Sequence, residues 1–233
     1  MTTGGDAMAT AVPVQVDDDA RDESVVMHGV GWKGYCLTLR ARGERNRPKM
    51  VYLDGDLYLM SPAYPHEFLR KRLGQLVMVV VEELDIPCTP AGETTFRRRA
   101  KRGGVEADES FYLASEPRIR GKRHENLHLR RDPPPDLVIE SVNTHAADAS
   151  VEVWRRFGVP EVWVCDGDSL QVLALQADGR YVEVAESVSF PFLKSTEILD
   201  WVSRAHDGPE TGWIKQLRVW VRDVLAPRAR GGA

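Results

Sequence analysis

The sequence predicts an α/β fold of the mixed α+β kind, one mixed sheet flanked by helices in three layers. Three observations carry the prediction. The stretch Pro133 to Asp166 reads as a buried strand bearing two acids, a short helix, a Gly-Val-Pro stop and a second buried strand. His66 to Asp85 places Phe68, Leu69, Leu73, Leu76, Val77, Val80, Val81 and Leu84 at helical spacing. Glycine-containing turn pairs such as Asp54-Gly55 and Asp178-Gly179 separate short runs of alternating apolar residues, as hairpins require.

The elements follow in order. Met50 to Pro62 is a hairpin about Asp54-Gly55, and the His66 helix follows until Pro87 stops it. Cys88 to Arg99 reads as a strand with basic residues at its end. Gly103-Gly104 turns the chain into a strand from Val105 to Leu113. Pro117 to Pro133 is a polar, basic loop. Leu137 to Val142 is a strand, and Ala146 to Phe157 a short helix closed by Gly158 and Pro160. Strands at Glu161 to Asp166, Leu170 to Leu175 and Tyr181 to Val184 come next, then helices at Phe192 to Ala205 and Trp213 to Val224. Ser24 to Lys49 holds a short helix or strand at Tyr35 to Arg42. Residues 1–23 are expected as a disordered tail, 24–205 as one domain, and 206–233 as a C-terminal helix with a flexible tail from Ala226.

A chain of 233 residues with 42% hydrophobic residues suits one domain with a sizeable core. The net charge is −4, but positive charge is clustered at Phe96 to Arg102 and Leu127 to Asp132. Such clusters suit phosphate contacts, or are the solvated tip of a hairpin. Cys36, Cys88 and Cys165 lack zinc-ligand spacing, and so sparse a set fits a reducing, cytoplasmic setting. The N-terminus has no signal-peptide core, and the longest apolar stretch, around Leu76 to Val81, is too short to span a bilayer. P-loop, GxGxxG, GxSxG and HExxH motifs are absent, against nucleotide-dependent, serine-hydrolase and zinc-protease chemistry.

The chemistry concentrates on acids. Asp108 and Glu140 fall on successive strands, and neighbouring strands lie about 4.8 Å apart, so their carboxylates can share one cation. Magnesium takes one or two carboxylates plus water and phosphate, and then activates water against a phosphodiester. The alternative is that both are strand-end surface acids. Glu106 shares the parity of Asp108 and is a third candidate. Glu109 and Asp136 suit strand edges, and Glu93 could face the same site. His66 is a candidate for phosphate or metal contact, or for capping and packing. Tyr64 is a candidate groove wall, and Arg97, Arg98 and Arg99 are candidate phosphate contacts through their forked donors.

Four strings, Leu53 to Leu73, Gly92 to Ala114, Pro134 to Ser141 and Phe157 to Leu175, resemble the Uma-two restriction endonuclease group, a branch of the PD-(D/E)XK nuclease superfamily. The resemblance covers about Met50 to Leu199. It implies a restriction-endonuclease-like core, a single nuclease domain over 24–205, and magnesium-dependent (or manganese-dependent) hydrolysis of DNA. Its first acid falls on Asp108, its second on Glu140 and its histidine on His66; restriction-like nucleases often act as homodimers.

The usual lysine is missing from the matching positions. The superfamily position two residues after the glutamate is Val142, and the branch's helix position is Ser150, four residues before Trp154. Ala149 stands at the acidic position beside it, and Ala107 stands where the family has proline before the first acid. Arg155 and Arg156 are nearby cations, but arginine is a poor base. Two functions follow: a metal-dependent DNA endonuclease, or an impaired nuclease fold that binds nucleic acid or a protein without cleavage. If the lysine is truly absent, wild-type cleavage is weak and Ser150→Lys increases it.

Overall fold

A two-residue turn sets the first register. Asp54 and Gly55 both have positive φ, 53° and 114°, the backbone that a tight hairpin turn needs. The computed structural model describes residues 23–45, 47–122, 124–141, 146–204 and 208–231. In chain order it contains β1 (Glu23–Met27), α1 (Trp32–Arg42), β2 (Lys49–Leu53), β3 (Asp56–Ser61), α2 (Tyr64–Glu83), β4 (Thr89–Pro90) and β5 (Thr95–Arg98). There follow β6 (Gly103–Glu106), β7 (Glu109–Tyr112), α3 (Glu116–Ile119), β8 (Leu137–Ser141), α4 (Ala146–Phe157) and β9 (Glu161–Cys165). The described chain ends with β10 (Leu170–Leu175), β11 (Tyr181–Val184), α5 (Ser195–Ser203), α6 (Glu210–Trp220) and α7 (Ala226–Gly231).

The mixed α+β class holds, but the strands form two sheets rather than one. A five-stranded sheet has the order β1-β3-β2-β6-β5 and a six-stranded sheet the order β11-β10-β9-β8-β7-β4. The first is antiparallel throughout; in the second, β8 and β9 are parallel, joined by α4 as crossover.

The two runs that read as single strands, Cys88 to Arg99 and Val105 to Leu113, are each broken in the middle. They form one ribbon that bends from sheet to sheet: β5 pairs with β6 in the first, β4 with β7 in the second. The corner falls at Ala107 and Asp108, between β6 and β7. Strands that turn such corners keep their apolar alternation, so the pattern alone does not reveal the break.

Three apolar clusters position the site. Tyr35 of α1 lies on the first sheet, stacked on Tyr52 with ring centroids 4.9 Å apart. That approach depends on Gly104, where an added Cβ would stand 2.3 Å from the Tyr35 oxygen. The opposite face of this sheet presents Val51 and Val105 to α4, whose Val153 and Trp154 also meet Val138 and Val162 of the second sheet. The far side of the second sheet, with Leu137 and Ile139, packs on α2 and the C-terminal helices.

The C-terminus departs from expectation. Residues 226–231, expected as flexible tail, form α7, reached from α6 through one π-helical turn at Val221–Leu225. Leu225 and Ala226 are buried, and Arg228 pairs with Glu197 at 2.9 Å, so tertiary packing extends the helix. The expected tail at 1–22 lies outside the described residues, while Glu23 already belongs to β1.

Candidate active site

Strand parity aims three side chains at one point. On β8, Leu137 and Ile139 face α2, so Val138 and Glu140 face α4. On β2, Val51 faces α4, and Lys49, two residues earlier, shares that face. Asp108 stands at the corner between the sheets. The Lys49 ammonium donates to Asp108 Oδ1 and to Glu140 Oε2, both at 2.8 Å. Two oxygens so placed are no further apart than twice 2.8 Å, and the Lys49 ammonium spans them.

The remaining oxygens are also satisfied. Asp108 Oδ2 accepts from the Ser141 backbone N–H at 2.7 Å and from the Ser141 hydroxyl at 3.0 Å. Glu140 Oε1 accepts from the Trp154 indole N–H at 2.6 Å. The Trp154 position, which reads simply as core packing in the sequence, therefore also orients a site carboxylate.

Burial and charge act against each other here. Desolvation pulls the Lys49 amine down, but the two carboxylates together outweigh it and hold the amine above its ordinary value. Burial raises Asp108, and the Lys49 charge with the Ser141 hydrogen bonds more than reverses this, leaving it below its ordinary value. Glu140 is pushed up, first by burial and then by the neighbouring Asp108 charge, despite Lys49 and Trp154. The site thus holds a permanent cation beside two unequal carboxyl groups.

The surrounding cleft, about 240 Å³, is lined by Lys49 and Asp108 together with the ion pairs of Arg42, Arg47 and Arg70. Arg70 of α2 pairs with Glu67 and Glu93 and donates to the Asp108 carbonyl at 3.2 Å. Arg42 of α1 grips Glu106 with bonds of 2.6 Å and 2.5 Å. Glu106 also accepts from the Met50 N–H and the Thr95 hydroxyl. It therefore faces α1 and is held away from the Lys49 pair, because β6 ends at Glu106 and Asp108 belongs to the corner. Asp136 is a structural acid that accepts from the backbone N–H of Leu113 and Ser115.

Other candidates are dispersed. His66 is buried in the first turn of α2 and does not line the cleft. Tyr64 is exposed and leans on Phe68. Ser150 is buried on α4, and Arg155 and Arg156 turn to Glu152 and Asp54, away from the acids. Val142 lies outside the described residues. The cation missing from the motif positions is supplied by Lys49. A sequence signal for it exists: a lysine heads the strand Lys49–Leu53 on the same face as the apolar Val51 and Leu53. Arg97, Arg98 and Arg99 line a second groove, beyond the cleft along β5.

Asp108 Oδ1 and Glu140 Oε2 are the oxygens that could hold a metal. Among the described residues no group of three or more His, Cys, Asp or Glu gathers as a cage. Oxygen-only ligands suit magnesium better than zinc, and the point between these two oxygens is taken by the Lys49 ammonium.

The model of the Uma2 family, described as "Putative restriction endonuclease", matches residues 34–205. The chain belongs to this family. Its fold is similar to the crystal structure of a "putative nuclease belonging to DUF820" from Anabaena variabilis, at 14% identity and a TM-score of 0.51, over 71% of this chain and 98% of that one. The Uma2 match and this likeness agree on a nuclease-type fold. No curated protein matches the chain. No helix among the described residues is long and apolar enough to cross a membrane.

Proposed function

We propose that this Uma2 protein is a magnesium-dependent endonuclease that hydrolyses phosphodiester bonds in DNA, with Asp108 and Glu140 as metal ligands and Lys49 as the site's cation. One observation carries the reading: Lys49 Nζ lies 2.8 Å from both carboxylates, so the acid pair and the lysine of a nuclease site meet although the lysine comes from β2. Magnesium, when bound, supplies Lewis acidity and lowers the pKa of a water.

The chain's own groups do the rest. Asp108, held ionised by Lys49 and Ser141, would offer the metal a fixed oxygen. Glu140, fully buried with Oε1 held by the Trp154 indole, would present Oε2 to the metal, and the proton of the attacking water would leave to solvent through the cleft. Lys49, kept protonated, acts as a cation and not a base. Its flexible four-carbon stem lets it move from the carboxylates to the phosphoryl oxygens, where negative charge grows as water oxygen adds to phosphorus and the bond to the leaving sugar oxygen breaks.

The test is cleavage of labelled DNA with and without magnesium or manganese. Asp108→Asn, Glu140→Gln and Lys49→Met should each lower the rate on the order of a hundredfold or more while the fold is retained by circular dichroism. Metal-independent cleavage, or full activity in Asp108→Asn, would overturn the assignment.

A second reading, binding without cleavage, is favoured by the Lys49 ammonium already occupying the point between the two acids. Tight DNA binding with no cleavage in either metal would select it.

A further inference from the structure

The chain's arginines are mostly paired: Arg42, Arg70, Arg72, Arg156 and Arg218 each hold a carboxylate. One groove gathers five arginines without an ion pair to a described residue. Six arginines line it, Arg40 from α1, Arg97 and Arg98 from the end of β5, Arg99 from the 3-10 turn after it, and Arg130 and Arg131 from the loop before β8. No acidic residue lines it. Arg40, Arg97, Arg98, Arg99 and Arg130 make no ion pair with a described residue; Arg97 reaches only the Cys36 sulfur, at 4.0 Å, and Arg131 has Glu125 at 3.5 Å and Asp132 at 3.6 Å. The groove has a volume of about 1130 Å³, and Trp32 and Leu129 give its floor an apolar part.

Its walls are built, not incidental. The loop carrying Arg130 and Arg131 is anchored by buried Asp132, which accepts from the His128 N–H at 2.7 Å and pairs with Lys122. Trp32 is held edge-on by Tyr35 and Tyr52. The groove also adjoins the cleft of Lys49 and Asp108. Thr95 lines the cleft and Arg97 the groove, two residues or about 6.6 Å further along the same face of β5. On α1, Arg42 lines the cleft and Arg40 the groove.

We propose that this groove binds an unpaired nucleic-acid strand and feeds it to the cleft, a proposal that rests on the nuclease reading for its purpose but not for its binding. Two features select an unpaired strand over a duplex. Guanidinium groups without protein partners fit phosphates, which both forms offer. The indole and aliphatic floor fits the faces of exposed bases, which only an unpaired strand offers.

The experiment is fluorescence anisotropy of the full chain without metal, using a dT12 oligonucleotide, rU12, a 12-base-pair DNA duplex and heparin as competitor. The expected result is at least tenfold tighter binding of dT12 or rU12 than of the duplex, with the difference between those two arms identifying DNA or RNA. Charge reversal at the exposed Arg97→Glu and Arg99→Glu should flatten the salt dependence of log Kd by about 0.7 or more for each phosphate no longer neutralised. Trp32→Ala should weaken dT12 about tenfold and leave the duplex unchanged; Trp32→Phe, which keeps a ring, should restore most of that if the alanine variant is misfolded. Equal or tighter duplex binding overturns the proposal. So does strand affinity indifferent to both Trp32 variants and readily displaced by heparin, the behaviour of a general polyanion patch. Strand binding without cleavage would uphold the groove and defeat the nuclease reading, whereas cleavage of duplex that ignores the arginine variants would do the reverse.

Discussion

Lys49→Met is the most informative perturbation of the site, because methionine keeps the stem and removes only the charge. The side chains of Lys49, Asp108 and Glu140 are 13%, 7% and 0% exposed, so solvent screens this triad little. Removing one partner of a buried ion pair costs about 3–5 kcal/mol, since it strands the opposing charge. Here it strands two like charges beside each other. For a chain of this size each kcal/mol lowers Tm by about 2–4 °C, so the drop at pH 7.5 should be about 6–20 °C. The pH dependence follows from the sign of each shift. In the wild type Asp108 titrates below its ordinary 3.8, and its contribution is full above that value and lost as pH falls. In Lys49→Met both carboxyls would titrate above their ordinary 3.8 and 4.5, so the variant is least affected in acid and loses stability as pH rises. The gap between the two proteins should therefore be small near pH 4 and widen toward 7.5. Thermal unfolding followed by circular dichroism measures this. Glu140→Gln in the Lys49→Met background should recover a large part of the loss, since one stranded charge is gone. A gap independent of pH, or strictly additive effects of the two substitutions, would refute the account of the triad.

Three further outcomes are expected. Trp154→Phe removes the donor to Glu140 Oε1 and should lower stability by about 1–3 kcal/mol in urea unfolding; an unchanged midpoint would show that the indole hydrogen bond is dispensable. Gly104→Ala drives a methyl group into the buried Tyr35 ring and should cost at least about 1–3 kcal/mol, with Tyr35→Phe in the same chain relieving part of it; a wild-type Tm in the single variant would contradict the packing. Glu152, on the surface of α4 with its carboxyl lowered to about 2 by its hydrogen bonds to Arg155 and Arg156, contributes stability that is full above its ordinary 4.5 and lost toward pH 2. Glu152→Gln should cost up to about 1 kcal/mol at pH 7, and the deficit should close in acid; a deficit that persists at pH 2.5 would point to packing instead of charge.

The sequence makes local features legible and hides those set by distance. The hairpin at Asp54-Gly55, the long helix α2 and the α4 crossover with its Gly158 stop are all readable from turn chemistry and apolar spacing. The Asp108 and Glu140 pairing follows from two acids on successive strands. The bend at Ala107 and Asp108 is not readable, because apolar alternation runs through it unchanged and only tertiary packing decides that one ribbon serves two sheets. Lys49 is legible only as a lysine on an apolar strand face; which acids it meets is not, since it lies 59 residues from Asp108 and 91 from Glu140 and shares no motif spacing with either. Expecting the lysine at Ser150 assumes that the charge must come from the element used by relatives. A flexible ammonium needs only to reach the same point, and β2 delivers it from another side. The parity argument for Glu106 fails at the same corner, since parity holds only within a continuous strand.

The corner also determines when the site comes into being. Lys49 belongs to one sheet, Glu140 to the other, and Asp108 to the bend that joins them. A chain that has formed either sheet alone, during synthesis or after partial unfolding, has no assembled triad, however native its local structure. The triad is therefore a marker of the complete fold, present only where both sheets and the bend between them are in place.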